Sequence, residues 1–583
     1  MSHLTQTLTT LGRKLDRPRG PVGWLYTNNP FYVLSADLVF IGLRMSFDTS
    51  GRTIGTGALM IALLGYTLLL ATTACLLIRV GRVWDDARTL LLLVVAMFLA
   101  ISVTFDEALA GNPRLGRACF LGGLLFAILV GEGLLRGIRL RLGPLYHAPY
   151  LLILCLFFLY PLALTPFLRD PEGPALRWLL FGFSPLASLA FLSLIPAIRR
   201  GRGYVAKNGS PWPYPLFPWT LFGLLAAAVC GRAAYLCTSF HFVEMSRSVG
   251  RSDSIFGPYF LVPFLLALDV LLVEAAIASR SRPMQRLAMA VLPGVLVLAM
   301  AGHRPDPVFR GFLDLFRKGL GGSPLYLSLV AVTGLYAHAA SRRVPLGLAG
   351  LTSSLLALAV VGPDTYHLNG LVAPRPFPLL AVAILELGLA VRRRESWRSV
   401  VGSACLVATI TIGLDRLGLG HHRGLAAFHL AVIAAIGIGA CFRDRLGRFL
   451  QHLAAACLGL SCLVAIRGGP GLGDGVPEDL LRAYPLLVIV ASALLGYGIR
   501  CPSFLAVALV GLTGWLAGAG WRTYRDLRRI VVGLDWIASG LIFFALAAAI
   551  SLLKTGLPAK WADGRRADPL RTGAEAEAPG PTG

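Results

Sequence analysis

The stretch 255-IFGPYFLVPFLLALDVLLVEAAIA-278 decides the fold class of this chain. It is as long as the roughly 20 residues that a helix needs to cross a bilayer, and nearly every side chain in it is apolar. Two carboxylates interrupt it, Asp269 near the middle and Glu274 toward one end. Ionisable groups within a membrane segment are costly and therefore rare, so these two are the first residues to examine for a function.

Segments of the same kind recur along all 583 residues, of which 56% are hydrophobic and only 14% charged, with a mean hydropathy of +0.70. A soluble chain usually has about 25% charged residues. The pattern predicts an all-α, polytopic transmembrane helix bundle. We count about 18 spans, which begin near Phe31, Thr53, Ala87, Gly116, Leu145, Ala175, Pro215, Ile255, Gln285, Ser323, Pro345, Pro376, Trp397, Gly424, Phe449, Ala483, Cys501 and Ile530. The spans near 31, 345 and 376 are short, and re-entrant segments are the alternative there.

Basic residues predict the orientation of the bundle. With the N-terminus inside, about 32 of the 54 Lys and Arg fall on the inner side and about 20 on the outer side, as the positive-inside rule requires. Both termini are then cytoplasmic, and the localisation is a cell membrane, of the bacterial inner-membrane type. Residues 1–30 form a cytoplasmic segment with a short amphipathic helix, 31–555 the membrane domain, and 556–583 a disordered cytoplasmic tail.

The longest outer loop, 301-AGHRPDPVFRGFLDLFRKGLGGSP-324, mixes aromatic and basic residues at helical spacing. Such a segment is typical of a helix that lies along the membrane surface. In a later span, Gly511, Gly514 and Gly518 put small residues on one helix face. This face predicts close approach of another helix, either a neighbour in the same chain or a second copy.

Several classes of function are disfavoured by the motifs. The net charge of +24 comes as small clusters between apolar spans, and so indicates a lipid bilayer as partner and no nucleic acid. The glycine-rich stretch 468-GGPGLGDG-475 lacks the Lys-Ser/Thr of a phosphate-binding loop, and no nucleotide-binding domain is present. Neither CxxC nor HExxH spacing occurs. We therefore expect no metal site and no cofactor.

Three ionisable residues lie far from either end of their predicted spans: Asp269, Glu386 and Arg232. At such depth a carboxylate is either neutral or faces a cation or a water-filled cavity. These three are the candidates for binding a substrate or an ion. Arg232 and Asp269 belong to consecutive spans, but their depths differ by roughly 12 Å at 1.5 Å rise per residue. We therefore do not expect them to pair directly.

A second group of acidic residues is predicted to face outward: Asp48 follows the first span, and Asp106 and Glu107 follow the third. Carboxylates at a membrane surface can act as a general base or bind a metal. Their placement resembles the acidic outward loops of polytopic glycosyltransferases that use polyprenyl-phosphate sugars, although here the loop around Asp48 is short. The resemblance implies catalytic roles for Asp48, Asp106 and Glu107 on a lipid-linked substrate.

Three hypotheses follow from these residues. The first is a transporter-like protein that moves a small solute or a lipid-linked substrate with its mid-membrane carboxylates. The second is a membrane-embedded, glycosyltransferase-like enzyme at the outer face. The third is a membrane scaffold or sensor without chemistry of its own, in which the buried charges hold helices together.

Overall fold

A computed structural model of the chain describes residues 31–47, 53–81, 83–167, 173–205, 209, 211–212, 216–239, 256–300, 307–367, 370–418, 423–467, 478–531 and 533–554. These ranges are helical, with no strand among them, which confirms the predicted all-α class. The predicted surface helix within residues 1–30 and the tail at 556–583 lie outside the described residues.

The α-helices of the described ranges, numbered in chain order, are α1 (Phe31–Phe47), α2 (Thr53–Leu76), α3 (Trp84–Gly111), α4 (Pro113–Gly137), α5 (Pro144–Leu164), α6 (Pro174–Leu192), α7 (Ile195–Arg200), α8 (Arg202–Val205), α9 (Leu216–Ser239), α10 (Val262–Ala278), α11 (Arg282–Met300), α12 (Pro307–Leu320), α13 (Pro324–Ser341), α14 (Gly347–Val360), α15 (Pro376–Arg393), α16 (Ser396–Arg416), α17 (Arg423–Cys441), α18 (Arg445–Ile466), α19 (Glu478–Ile499), α20 (Pro502–Ile530) and α21 (Leu534–Lys554). A π-helical turn, Leu77–Gly81, extends α2, and short 3-10 turns, Thr165–Phe167 and Pro258–Leu261, extend α5 and precede α10.

Thirteen of these elements are long and apolar enough to cross a membrane, and a fourteenth results if α12 and α13, bent by 44°, form one span. The predicted number of about 18 is thus supported only in part. Helices α1 and α14 contain 17 and 14 residues, and α15 carries Glu386, Arg392 and Arg393 within its 18 residues. Helices α1, α14 and α15 correspond to the predicted spans near residues 31, 345 and 376, which the sequence already indicated to be short.

Proline begins many of the helices. Pro113, Pro144, Pro174, Pro324 and Pro502 occupy the first turn, where the missing N–H leaves no hydrogen bond unmade. At α4 the preceding Asn112 adds a side-chain cap, since its Oδ1 accepts from the N–H groups of Arg114 and Leu115 at 3.1 and 3.2 Å. The boundaries of the spans are therefore set locally by the chain.

Five helices are followed within two residues by an arginine in the left-handed backbone region, where glycine is usual. They are Arg139, Arg280, Arg343, Arg394 and Arg500, with φ between 53° and 58°. In the first four, the N–H of the following residue donates to the carbonyl five positions back, at 2.9 to 3.2 Å, which is the bond that closes a Schellman turn. Each of these ends was predicted to be cytoplasmic, a side that stays a prediction.

The chain divides into two compact units, Met1–Val382 and Ala383–Gly583, with the boundary inside α15. The first unit contains the larger core, in which Phe98, Phe157 and Phe158 are fully buried. At one end of this core, α12 buries Phe312 and Phe316 against Trp178, with ring centroids 5.7 and 6.1 Å apart. Its basic residues Arg310 and Lys318 are exposed, so the predicted helix is present and amphipathic, and its position along the membrane surface stays a prediction.

The second unit packs through its small residues. Helix α16 crosses α15 at Gly402, where a Cβ would lie 2.8 Å from Leu387 Cγ and 3.0 Å from its backbone nitrogen. The α20 glycine face meets neighbours in the same chain: a Cβ at Gly511 would be 2.9 Å from Ile489 Cγ1, and Gly514 and Gly518 face α18. Close approach within the chain is thus what these glycines permit here, and self-association stays a prediction.

Candidate functional site

Arg232 on α9 is fully buried and forms an ion pair with Asp106 on α3. The guanidinium engages both carboxylate oxygens, with Nη2 donating to Oδ1 at 2.8 Å and Nη1 donating to Oδ2. Its third donor, Nε, has no hydrogen-bond partner among the described residues. Two residues assigned to different candidate sites therefore belong to one contact.

The position of Asp106 corrects the sequence interpretation. Asp106 was predicted to lie in an outward loop, but α3 continues to Gly111 and the carboxylate is 1% exposed. The helix extends because 104-TFDEALAG-111 contains no proline and only one glycine, at its end. Asp48, the other aspartate of the glycosyltransferase-like group, and the side chain of Glu107 lie outside the described residues.

Glu386 on α15 is 2% exposed and is also paired. Arg398, in the first turn of α16, donates from Nη1 to its Oε2 at 2.8 Å and from Nε to Glu395 at 2.5 Å. The turn between the two helices contains only Arg394 and Glu395, so the start of α16 folds back alongside the end of α15. The sequence interpretation missed Arg398 because it treated each span separately.

Asp269 on α10 is the exception among the three mid-membrane candidates. It is 4% exposed, and neither carboxylate oxygen has a hydrogen-bond partner among the described residues. Tyr336 on α13 is close enough to interact with it electrostatically, but the Tyr336 hydroxyl donates to the carbonyl of Met289 at 3.0 Å. Arg232 pairs with Asp106 and so does not serve as its counter-charge, in line with the predicted difference in depth.

Glu274 lies five residues beyond Asp269 on the same helix and has several partners. It accepts two hydrogen bonds from Arg199 on α7, at 2.9 and 3.0 Å, and His338 Nε2 on α13 lies 3.4 Å from its Oε1. Glu274 is 3% exposed whereas Arg199 is 56% exposed. Helices α10 and α13 thus bring Glu274 and His338 into contact, while Asp269, on the same helix as Glu274, has no hydrogen-bond partner among the described residues.

Metal ligation finds no support in the part of the chain that the structure describes, since no three His, Cys, Asp or Glu side chains converge there. The polar groups of the candidate site are instead arranged as pairs, plus the single carboxyl of Asp269. Such an arrangement can hold or pass a proton, or receive a cation once water reaches it.

The described residues contain thirteen apolar helices of membrane-spanning length, which fit a multi-pass integral membrane protein. Comparison of the chain with known protein families, with curated proteins and with solved structures gave no match. The site geometry is therefore the basis for the function proposed next.

Proposed function

We propose that this chain is a membrane transport protein for a small solute or a lipid-linked substrate, in which Asp269 takes up and releases a coupling proton. One observation carries the proposal. Of the three mid-membrane candidates, Asp269 alone has neither a hydrogen-bond nor an ion-pair partner among the described residues, while Glu386 and Arg232 are both paired. Burial without a partner is costly for a charged carboxylate and much less so for a neutral one.

Protonation of Asp269 would then be linked to the conformation of the bundle. In the occluded arrangement, where the side chain is 4% exposed, the neutral form is favoured. An ionised Asp269 requires water or a cation to reach it, and hence requires neighbouring helices to separate. A ligand or a proton that binds one arrangement better than the other shifts the balance between them, which is the requirement for coupled transport.

Glu274 and His338 supply a route for the proton toward one side. Five residues separate Asp269 from Glu274, which is roughly 7.5 Å along the helix axis. Glu274 is held by the exposed Arg199, and His338 Nε2 lies 3.4 Å from its Oε1. Under the proposed orientation this end faces the cytoplasm, in a cell membrane of the bacterial inner-membrane type.

The test uses protein reconstituted in liposomes and adsorbed on a solid-supported membrane, with a panel of solutes applied under an imposed proton gradient. We expect a solute-dependent proton current in the wild type that Asp269→Asn abolishes without loss of the folded protein. The matched control is Asp314→Asn, which removes an exposed carboxylate from α12 and should leave the current unchanged. Gradient-driven transport that persists in Asp269→Asn contradicts the assignment.

A second readout needs no substrate. Infrared difference spectra recorded during a pH titration detect the carbonyl stretch of a protonated carboxylic acid. The wild type should show a band from a shielded carboxyl that is missing in Asp269→Asn and present in Asp314→Asn. Identical spectra for all three proteins would show that Asp269 does not exchange a proton.

A non-catalytic membrane scaffold is the second candidate, and the two buried ion pairs favour it. Arg232 with Asp106, and Glu386 with Arg398, tie helices together without leaving a free charged group. A scaffold predicts no solute-dependent current in any variant and normal behaviour of Asp269→Asn. The enzyme hypothesis is weakened because Asp106, one of its proposed catalytic residues, is engaged in a buried ion pair with Arg232. It still predicts that Asp48→Asn blocks transfer onto a lipid-linked acceptor.

A further inference from the structure

A groove of about 800 Å³ lies on the second unit, between α15, α16 and α17. Its volume falls within the roughly 300–1,000 Å³ of typical ligand sites. The side chains of Leu387, Val391 and Ile438 form its apolar walls. The space beside Gly437 is open, since a Cβ placed there would have no atom within 4 Å. The groove is therefore able to receive a hydrocarbon chain.

One end of the groove is polar and basic. Arg394 and Arg443 line it, both side chains are exposed, and neither forms an ion pair with a described residue. Ser399 lines the same end and is 4% exposed. A largely buried hydroxyl beside two arginines is a suitable contact for an anionic oxygen.

Asp444 is the acidic residue at this end, and its carboxylate is already engaged. It accepts hydrogen bonds from the Ser396 hydroxyl and from the Gly447 N–H, the latter at 2.8 Å, as the N-cap of α18. These bonds lower the pKa of the Asp444 carboxyl below its ordinary value, so it stays ionised. With one carboxylate and two arginines, this end of the groove has a net positive charge. Because Asp444 is bonded to Ser396 and Gly447, the guanidinium groups of Arg394 and Arg443 can bind an anion.

We propose that this groove binds an anionic phospholipid, with the phosphate held by Arg394, Arg443 and Ser399 and an acyl chain along Leu387, Val391 and Ile438. A basic end joined to an apolar trough matches a lipid, whereas inorganic phosphate would use only the polar end. Basic pockets between transmembrane helices are a known kind of site for anionic headgroups. The groove is lined by residues of the second unit alone, and the proposal is independent of the proposed transport function.

The experiment measures binding of phosphatidylglycerol to the full chain in detergent, by native mass spectrometry and by titration with a fluorescent analogue. Phosphatidylcholine and inorganic phosphate are the competitors. We expect phosphatidylglycerol to bind, phosphatidylcholine to bind at least tenfold more weakly, and phosphate not to displace the lipid. Arg394→Gln with Arg443→Gln should weaken binding about thirtyfold, because an arginine near an anionic lipid contributes roughly a factor of five.

Two matched controls separate this site from general charge and general packing. Arg416→Gln removes an exposed arginine from the opposite end of α16 and should leave the affinity within twofold of the wild type. Gly437→Leu fills the trough and should abolish binding, whereas Gly413→Leu, at another open glycine outside the groove, should not. Equal binding by all variants, an equal loss in Arg416→Gln, or full displacement by phosphate would each overturn the proposal.

Discussion

Cutting the buried ion pair between Asp106 and Arg232 should reveal an asymmetry between its two partners. Asp106→Leu leaves the guanidinium of Arg232 buried without a counter-charge, and arginine cannot release its proton. Arg232→Met leaves a buried carboxylate, which escapes the same penalty by taking up a proton. We therefore expect Asp106→Leu to be the more destabilising of the two single variants.

The magnitude follows from the burial of both side chains, which are 1% and 0% exposed. Removing one partner of a fully buried pair typically costs about 3–5 kcal/mol, and replacing both by apolar residues of similar volume is often neutral or stabilising. Asp106→Leu should thus lower the free energy of unfolding by about 4 kcal/mol and Arg232→Met by about 2 kcal/mol. The double variant should recover to within about 1 kcal/mol of the wild type.

The assay is reversible unfolding in mixed micelles with increasing SDS, followed by far-UV circular dichroism, for the wild type, both single variants and the double variant. The Arg232→Met penalty should also shrink at acidic pH, because the abandoned carboxylate is then protonated more easily. Additive losses in the double variant, or a larger loss for Arg232→Met than for Asp106→Leu, would refute the reasoning. In that case the two residues do not stabilise helix packing as a pair.

The remaining predictions concern local features. Gly116→Ala should lower the thermal midpoint clearly, because its Cβ would lie 2.3 Å from Leu109 Cα, whereas Gly122→Ala on the same helix, with open space around it, should not. Asp444→Ala should cost about 1 kcal/mol at neutral pH through the lost N-cap of α18. Hydrogen bonds depress its folded pKa below the unfolded value of about 3.9. The difference should therefore be present above pH 4 and be lost as the pH falls through the folded pKa, in unfolding curves recorded at pH 7 and at a series of pH values below 4.

Features that depend on neighbouring residues could be predicted from the sequence. The amphipathic pattern of 301–324 predicted a helix, and the structure has one at Pro307–Leu320, because burial of Phe312 and Phe316 follows from helical spacing alone. Glu132 and Arg136 are one helical turn apart, a spacing that predicts an ion pair, and the two side chains do approach to 3.9 Å. The nearer partner of Glu132 is His147 on the next helix, 2.5 Å away, which spacing within one helix does not show.

Features that depend on which helices become neighbours could not be predicted. Asp106 and Arg232 lie 126 positions apart, on α3 and α9, and hydrophobic periodicity contains no information about which non-consecutive spans adjoin. The predicted depth of Glu386 was counted from the predicted ends of its span. The ion pair with Arg398 was missed because it depends on the two-residue turn that folds the start of α16 back against α15. Of the three candidates, only Asp269 lacks a hydrogen-bond or ion-pair partner among the described residues.

The five arginines with a left-handed backbone that follow helix ends should lower the stability of the fold and help to set its orientation in the membrane. Glycine takes this conformation freely, whereas any other L-residue is penalised by about 1 kcal/mol, only partly offset by the attraction of a cation to the helix C-terminus. A version with glycine at all five positions should survive heating better in detergent. The same variant should insert into the bilayer with a mixed orientation, because each of those turns would have lost a positive charge that favours the cytoplasmic side.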